Sequence, residues 1–230
     1  MAKLSLHLVV QIYGEPGTPS HSRMIACIEE NSRLDCISRI SVLSENPQAY
    51  VGSGKVVIVP IARRATFSDC LKICRPEKDS LITHFAIANT DIFLSEGLDR
   101  LLPRLANKSS VAAVSRREAD GALCSDPKFS QDVWIFKSHC LDDEVLAFVN
   151  YELGVAGCEN LFARTLHEYG YELWNPCLDC RFIHNDPEPK TAWERRYYGF
   201  YLLLNPCAID AVGQVSPSYA TGLHRRLLAP

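Results

Sequence analysis

Leu4 to Tyr13 is a run of β-branched and large apolar residues with no helical period, closed by the turn cluster Gly14-Glu15-Pro16-Gly17-Thr18-Pro19. It reads as a buried first strand. From Ser20 to Ser32, Met24, Ile25 and Ile28 recur at helical spacing, and Cys36 to Leu43 returns to strand composition. Lys55 to Pro60 is a further short apolar run, after which Thr66 is placed to cap a helix reaching to about Arg75. Leu81 to Ala88 predicts another buried strand that stops abruptly at Asn89-Thr90-Asp91. A helix from about Glu96 to Leu105 and a strand from Ser110 to Ser115 follow. Beyond these, the pattern predicts a strand over Asp132 to Lys137, a helix from Glu159 to about Tyr169, a strand near Tyr171 to Trp174, and one ending at His184. The last twenty residues are expected to run over the surface.

Alternating strands and helices of this kind imply an α/β fold whose mostly parallel central sheet is covered on both faces. Polar ligand groups in such folds gather at the carboxyl ends of the strands, and Asp91 stands at one of them.

The 230 residues contain no linker-like stretch and no repeat, so they read as one domain. With 47% hydrophobic and 22% charged residues the chain is expected to be globular and not disordered. A net charge of -3, with arginine pairs scattered and not clustered, counts against a nucleic-acid partner. No apolar run is long enough for a membrane span, and the first strand lacks the flanks of a signal peptide, so a cytoplasmic protein is expected. In that setting the ten cysteines read as free thiols. Cys177 and Cys180 form the single C-x-x-C pair, and a closed zinc site there requires two further ligands.

Neither a G-x-G-x-x-G turn nor a P-loop occurs, which counts against nicotinamide enzymes and ordinary ATPases. Phosphates are then held another way, the usual one being a divalent cation that bridges diphosphate oxygens with arginine support. A carboxylate directly after a buried strand, as at Asp91, is costly unless solvent, a metal or a partner compensates it, or unless it caps the next helix.

Five segments in fixed order sharpen this reading: Arg64-Ala65-Thr66-Phe67-Ser68-Asp69, Ala88-Asn89-Thr90-Asp91-Ile92-Phe93, Gln131-Asp132-Val133-Trp134-Ile135-Phe136, Leu153-Gly154-Val155-Ala156-Gly157-Cys158-Glu159-Asn160, and Asn175-Pro176-Cys177 leading to His184. Together they resemble a family of small GT-A type glycosyltransferases of bacteria and large algal viruses, over roughly Leu6 to His184. The chain departs from that family's pattern at Ala156, where a proline is expected, at Glu159 in place of an aspartate, and at Leu161 in place of an arginine.

The resemblance implies a GT-A (Rossmann-like, nucleotide-diphospho-sugar transferase) fold and metal-assisted, inverting transfer of a sugar from a nucleoside-diphosphate sugar to a glycan or other hydroxyl acceptor. It implies that residues 1–105 form mainly the nucleotide-binding half, 106–205 mainly the acceptor half, and 206–230 a surface tail. Asp91 resembles the last acid of a DXD-like metal motif, Asn89 takes the place of its first acid, and His184 is an additional ligand for Mn2+ or Mg2+, more natural for manganese. The alternative for His184 is a hydrogen-bonded histidine beside Asn185-Asp186. Arg63 and Arg64 are placed to meet the donor diphosphate, or to form loose surface ion pairs. Asp69 either bonds the nucleotide base or stabilises its own helix.

Glu159 is the candidate base for the acceptor hydroxyl, its alternative being a carboxylate favoured by the helix dipole. Asp132 is the second candidate for that duty, or binds sugar hydroxyls. Trp134 is expected in the core, and Tyr197, Tyr198, Phe200 and Tyr201 are expected to pack a helix. Two competing functions remain: a sugar nucleotidyltransferase, whose usual glycine-rich N-terminal signature is missing, and a catalytically inactive nucleotide- or carbohydrate-binding module, which the departures at Ala156 and Leu161 and the single acid at the metal site favour.

Overall fold

The computed structural model describes residues 4–47, 54–74, 81–138, 142–186 and 196–224. Its centre is a seven-stranded sheet in the order β3-β2-β1-β4-β7-β6-β8. Strands β1 (Leu6–Ile12), β2 (Ile37–Ser44), β3 (Val56–Pro60) and β4 (His84–Ala88) run parallel. β7 (Val133–Lys137) is inserted antiparallel between β4 and β6 (Ser110–Val114), and β8 (Glu172–Trp174) lies parallel to β6 at the edge. The α/β fold with a mostly parallel sheet flanked by helices is therefore as expected.

Every residue of β1 and β4 is buried, as strands covered on both faces must be. Strand alternation sends Leu6, Leu8, Val10 and Ile12 to one core, with Met24 and Ile28 of α1 (Pro19–Ser32). Val9 faces the opposite core, with Phe85, Ile87, Trp134 and Phe136. That second core is closed by α2 (Phe67–Ile73) and α5 (Cys158–Glu168). Phe162 is its hub, stacked on Phe67 at 4.0 Å and edge-on to Trp134 at 4.7 Å. Trp134 is core, as its alternation predicts.

The helix starts follow from capping chemistry. Thr18 accepts from the His21 N–H at 3.3 Å with Pro19 in the first turn, and Thr66 and Asp69 close a reciprocal capping box on α2. Where a helix from Glu96 was expected, α3 (Leu98–Leu101) and a 3-10 turn (Leu102–Arg104) stand instead.

Four elements escaped the sequence pattern. β5 (Ile92–Glu96) pairs antiparallel with β9 (Arg181–His184), and α4 (Asp143–Phe148) is a short helix against the second core. β10 (Gly199–Leu204) pairs with β11 (Tyr219–His224), which lies in the segment expected to run over the surface. The aromatic cluster at 197–201 consequently lies at and before a strand, not on a helix. A run of consecutive apolar residues cannot distinguish the two, and the partner strand decides it. Among the described residues no helix is long and apolar enough to cross a membrane.

The strand order fixes where a ligand can sit. From β1 the chain moves outward to β2 and β3, then returns to β4 on the other side of β1, so the carboxyl ends of β1 and β4 flank a topological switch point. The Thr90 hydroxyl ties the two ends by donating to the Gln11 carbonyl. Asn31 of α1 then holds β5 in place, donating to the Ile92 carbonyl and accepting from the Leu94 N–H, both at 2.9 Å.

Two consequences are measurable. Phe162→Ala removes the hub of the second core and is expected to cost about 3–5 kcal/mol in urea unfolding. His7 and His84 are each pushed down to about 4, first by burial and then by Arg39 and Lys137 respectively. The unfolded chain therefore binds more protons than the folded one between about pH 6.5 and pH 4, and stability falls as pH drops through that window by on the order of 2–3 kcal/mol per ring. A His84→Gln variant should show a shallower decline of the urea midpoint over the same pH range.

Candidate functional site

Asp91 leaves the end of β4 at the switch point, and backbone pairing brings the second half of the chain to it. Its carbonyl accepts from the Asn185 N–H at 2.8 Å, and Ile92 stands opposite His184 in the β5–β9 ladder. The His184 Nε2 atom lies 3.2 Å from Asp91 Oδ2. Asp186, two residues further on, turns its carboxylate to the same place, where Arg23 of α1 meets it at 2.9 Å. One donor atom each from Asp91, His184 and Asp186 lies within 4.8 Å of the others. Among the described residues this is the single such group of three.

Asp91 and His184 are only 8% and 4% exposed, so two acids and an imidazole share a site largely closed to water. Arg23 pairs with Asp186, and the His184 Nδ1 atom is buried without a hydrogen bond. Two carboxylate oxygens and an imidazole nitrogen suit a divalent cation such as Mn2+, and Mg2+ less well because of the nitrogen. The residues present therefore fit a metal ion. The buried Cys27 thiol beneath them is pushed up to about 11 by burial, with the Asp91 charge adding to the effect and a hydrogen bond to Asn185 opposing it.

The end of β4, two residues before Asp91, opens on a small cleft lined by Asn89, Asp132, Gly154 and Glu159 together with Trp134 and Ile87. Asp132 is buried and heavily engaged. Its Oδ1 accepts from Asn89 Nδ2 at 2.9 Å and from Arg116 Nη1 at 3.2 Å, and its Oδ2 accepts from the Ser130 hydroxyl at 2.9 Å. Burial works against the Arg116 charge, but Asp132 and Glu118 outweigh it and raise the guanidinium above its ordinary value.

Glu159 lies in the first turn of α5, whose start is set by Gly157 at φ +85°. A Cβ there would stand 2.9 Å from the Tyr197 carbonyl, so only glycine lets the segment around 197 close over the loop. The neighbouring Cys158 thiol is held well above its ordinary value, by burial first and by the Glu159 carboxylate second.

The arginine-rich segment divides. Arg63 makes a two-pronged pair with Asp69 at 2.8 and 3.1 Å, and Asp69 also accepts from the Thr66 N–H at 2.9 Å. Burial pushes the Asp69 carboxyl up, but the bonds from Thr66 and Arg63 outweigh it and hold it below the usual range. Of the two expectations for Asp69, the geometry therefore displays helix stabilisation. Arg64 instead stacks 3.9 Å over the Tyr13 ring, gives its Nε–H to the Leu153 carbonyl at 2.8 Å, and lays its fork against Gly154 at the cleft wall.

Asp186 and Glu118, whose Oε2 lies 3.5 Å from His184 Nδ1, were not singled out from the sequence, although the two-residue step from His184 to Asp186 was a usable signal for a shared face. The nine described cysteines are free thiols. Cys177 and Cys180 are each pushed up to about 12 by burial, with the neighbouring thiols adding to it.

No family model matches the sequence, and no curated protein sequence does. Solved structures are similar in shape. A mannosyltransferase of Pyrobaculum calidifontis, in complex with GDP-Man and Mn2+, aligns at TM-score 0.49 and 17% identity over 82% of this chain. The aligned part spans 58% of the mannosyltransferase. A 4-diphosphocytidyl-2C-methyl-D-erythritol synthase of Anaerococcus prevotii aligns at TM-score 0.46 and 12% identity, over 74% of this chain and 86% of its own.

Gly154 provides a test of the cleft wall. At φ +70° an added Cβ meets the Arg64 Nη2 atom. Gly154→Ala is expected to cost about 1–2 kcal/mol from the backbone alone. A crystal structure of the variant should show the guanidinium displaced from the Tyr13 ring.

Proposed function

We propose that this chain is a metal-assisted glycosyltransferase of GT-A type, which moves a sugar from a nucleoside-diphosphate sugar to an acceptor hydroxyl. The observation that carries the reading is the convergence of Asp91, His184 and Asp186 at the switch point of the sheet, next to a cleft holding a further acid. A divalent cation held by those three residues supplies positive charge for the departing nucleoside diphosphate.

The chain's own groups divide the remaining work. Arg64, oriented by Tyr13 and Leu153, offers its guanidinium fork to diphosphate oxygens. Asn89 and Asp132 form the wall against which the donor sugar is positioned. Asp132 already accepts from Asn89, Arg116 and Ser130, so its oxygens organise that wall and are committed to it. Glu159 is the better base: it lines the same cleft, half-buried, and takes the proton of the acceptor hydroxyl as that oxygen attacks the anomeric carbon. Its side chain is one methylene longer than the aspartate of the resembled family, and in this reading the closely packed Gly157 loop brings it into range. The nucleotide lies against residues 1–105 and the acceptor against 106–205, with His184 and Asp186 contributed to the cation from the second half.

Calorimetry with a panel of nucleoside diphosphates and Mn2+, followed by assay of donor turnover, tests this. Asp91→Ala is expected to remove metal-dependent nucleotide binding. Glu159→Gln should retain that binding within about twofold while transfer falls about 10²- to 10⁴-fold. Full transfer by the glutamine variant rejects Glu159 as base. Pyrophosphate release from a nucleoside triphosphate would assign the site to nucleotidyl transfer, and nucleotide binding with no turnover would make the chain a binding module.

A further inference from the structure

The geometry points to Glu118 as the residue that positions His184 for the cation, an inference that rests on the metal reading above. Glu118 opens a tight turn in which its carbonyl accepts from the Gly121 N–H and its own N–H donates to the Ala122 carbonyl, both at 2.8 Å. Backbone bonds fasten this turn to β9: Arg117 N–H donates to the Phe182 carbonyl at 2.7 Å, and His184 N–H to the Arg117 carbonyl at 2.8 Å. The approach of Glu118 to the imidazole is thus set by the main chain.

Glu118 Oε2 stands 3.5 Å from His184 Nδ1, and Oε1 stands 3.4 Å from Arg116 Nε. Nδ1 is buried and makes no hydrogen bond, while Nε2 faces Asp91. A neutral imidazole that gives Nε2 to a cation carries its one N–H proton on Nδ1. Buried, that N–H requires an acceptor, and Glu118 supplies it after a shift of a few tenths of an ångström. The bond fixes the ring orientation and raises its strength as a ligand, as carboxylate partners of metal-bound histidines do. Arg116 holds Glu118 from the other side and also binds Asp132 at 3.2 Å, so the cation's histidine and the wall of the cleft are set by one guanidinium.

Titration of the full chain with Mn2+ alone, followed by the spin-resonance signal of free Mn2+, reads this role without any reaction. Glu118→Ala is expected to weaken Mn2+ binding about 10- to 100-fold, whereas Glu118→Gln, whose amide oxygen still accepts, should stay within about threefold. With Co2+ in place of Mn2+, the exchangeable imidazole N–H should be visible by proton NMR in wild type and Glu118→Gln and lost to rapid exchange in Glu118→Ala. Mn2+ affinity and N–H protection unchanged in Glu118→Ala overturn the role of Glu118 and leave the metal site standing. A folded wild-type chain that binds no Mn2+ overturns the metal reading and this inference together.

Discussion

Two carboxylates and an imidazole lie nearly out of water at the end of a central strand, where Arg23 pairs with Asp186. Desolvating like charges at such close range is unfavourable unless a positive charge joins them. Much of the local architecture serves to keep these groups together. Asn31 pins β5 under the sheet, β9 pairs with β5, and the Asn185 N–H closes on the Asp91 carbonyl, so His184 and Asp186 arrive from the far half of the chain. Arg23 offsets part of the charge through Asp186, and in the proposed reading a divalent cation offsets more of it.

From this cluster a chain of polar contacts runs through the molecule. Asp91 faces His184, His184 faces Glu118, Glu118 faces Arg116, and Arg116 binds Asp132 at the cleft wall. The line crosses between β4, the turn after β6 and the start of β7, which the mixed sheet places side by side, and β9, which backbone bonds to Arg117 fasten to that turn. Inserting the antiparallel β7 between β4 and β6 puts Asp132 beside Asn89, two residues before Asp91.

The sheet was largely legible in the sequence because its central strands are buried on both faces and read as unbroken apolar runs ended by turn residues. Asp91 was legible for the same reason, as an acid where such a run stops. His184 was reached through the resemblance, whereas Asp186 and Glu118 were not seen as members of the site. Asp186 depends on the pairing of β5 with β9 and Glu118 on the bonds from Arg117 to β9, contacts between segments tens of residues apart that no local period encodes. For Arg63 and Asp69 the sequence left two readings open, a nucleotide contact or local pairing, and the geometry displays the local one: Thr66-x-x-Asp69 is a capping box in which Asp69 also pairs with Arg63. The aromatic run at 197–201 looked helical because the partner that makes it a strand lies at 219–224.

The central claim is that a divalent cation binds between Asp91, His184 and Asp186. Anomalous diffraction at the manganese edge, from crystals soaked with Mn2+ and a nucleoside diphosphate, addresses it directly. The account predicts one dominant peak about 2.1–2.3 Å from an oxygen of Asp91, the Nε2 atom of His184 and an oxygen of Asp186. A nucleotide bound without any peak there, or manganese bound at another set of residues, would contradict it.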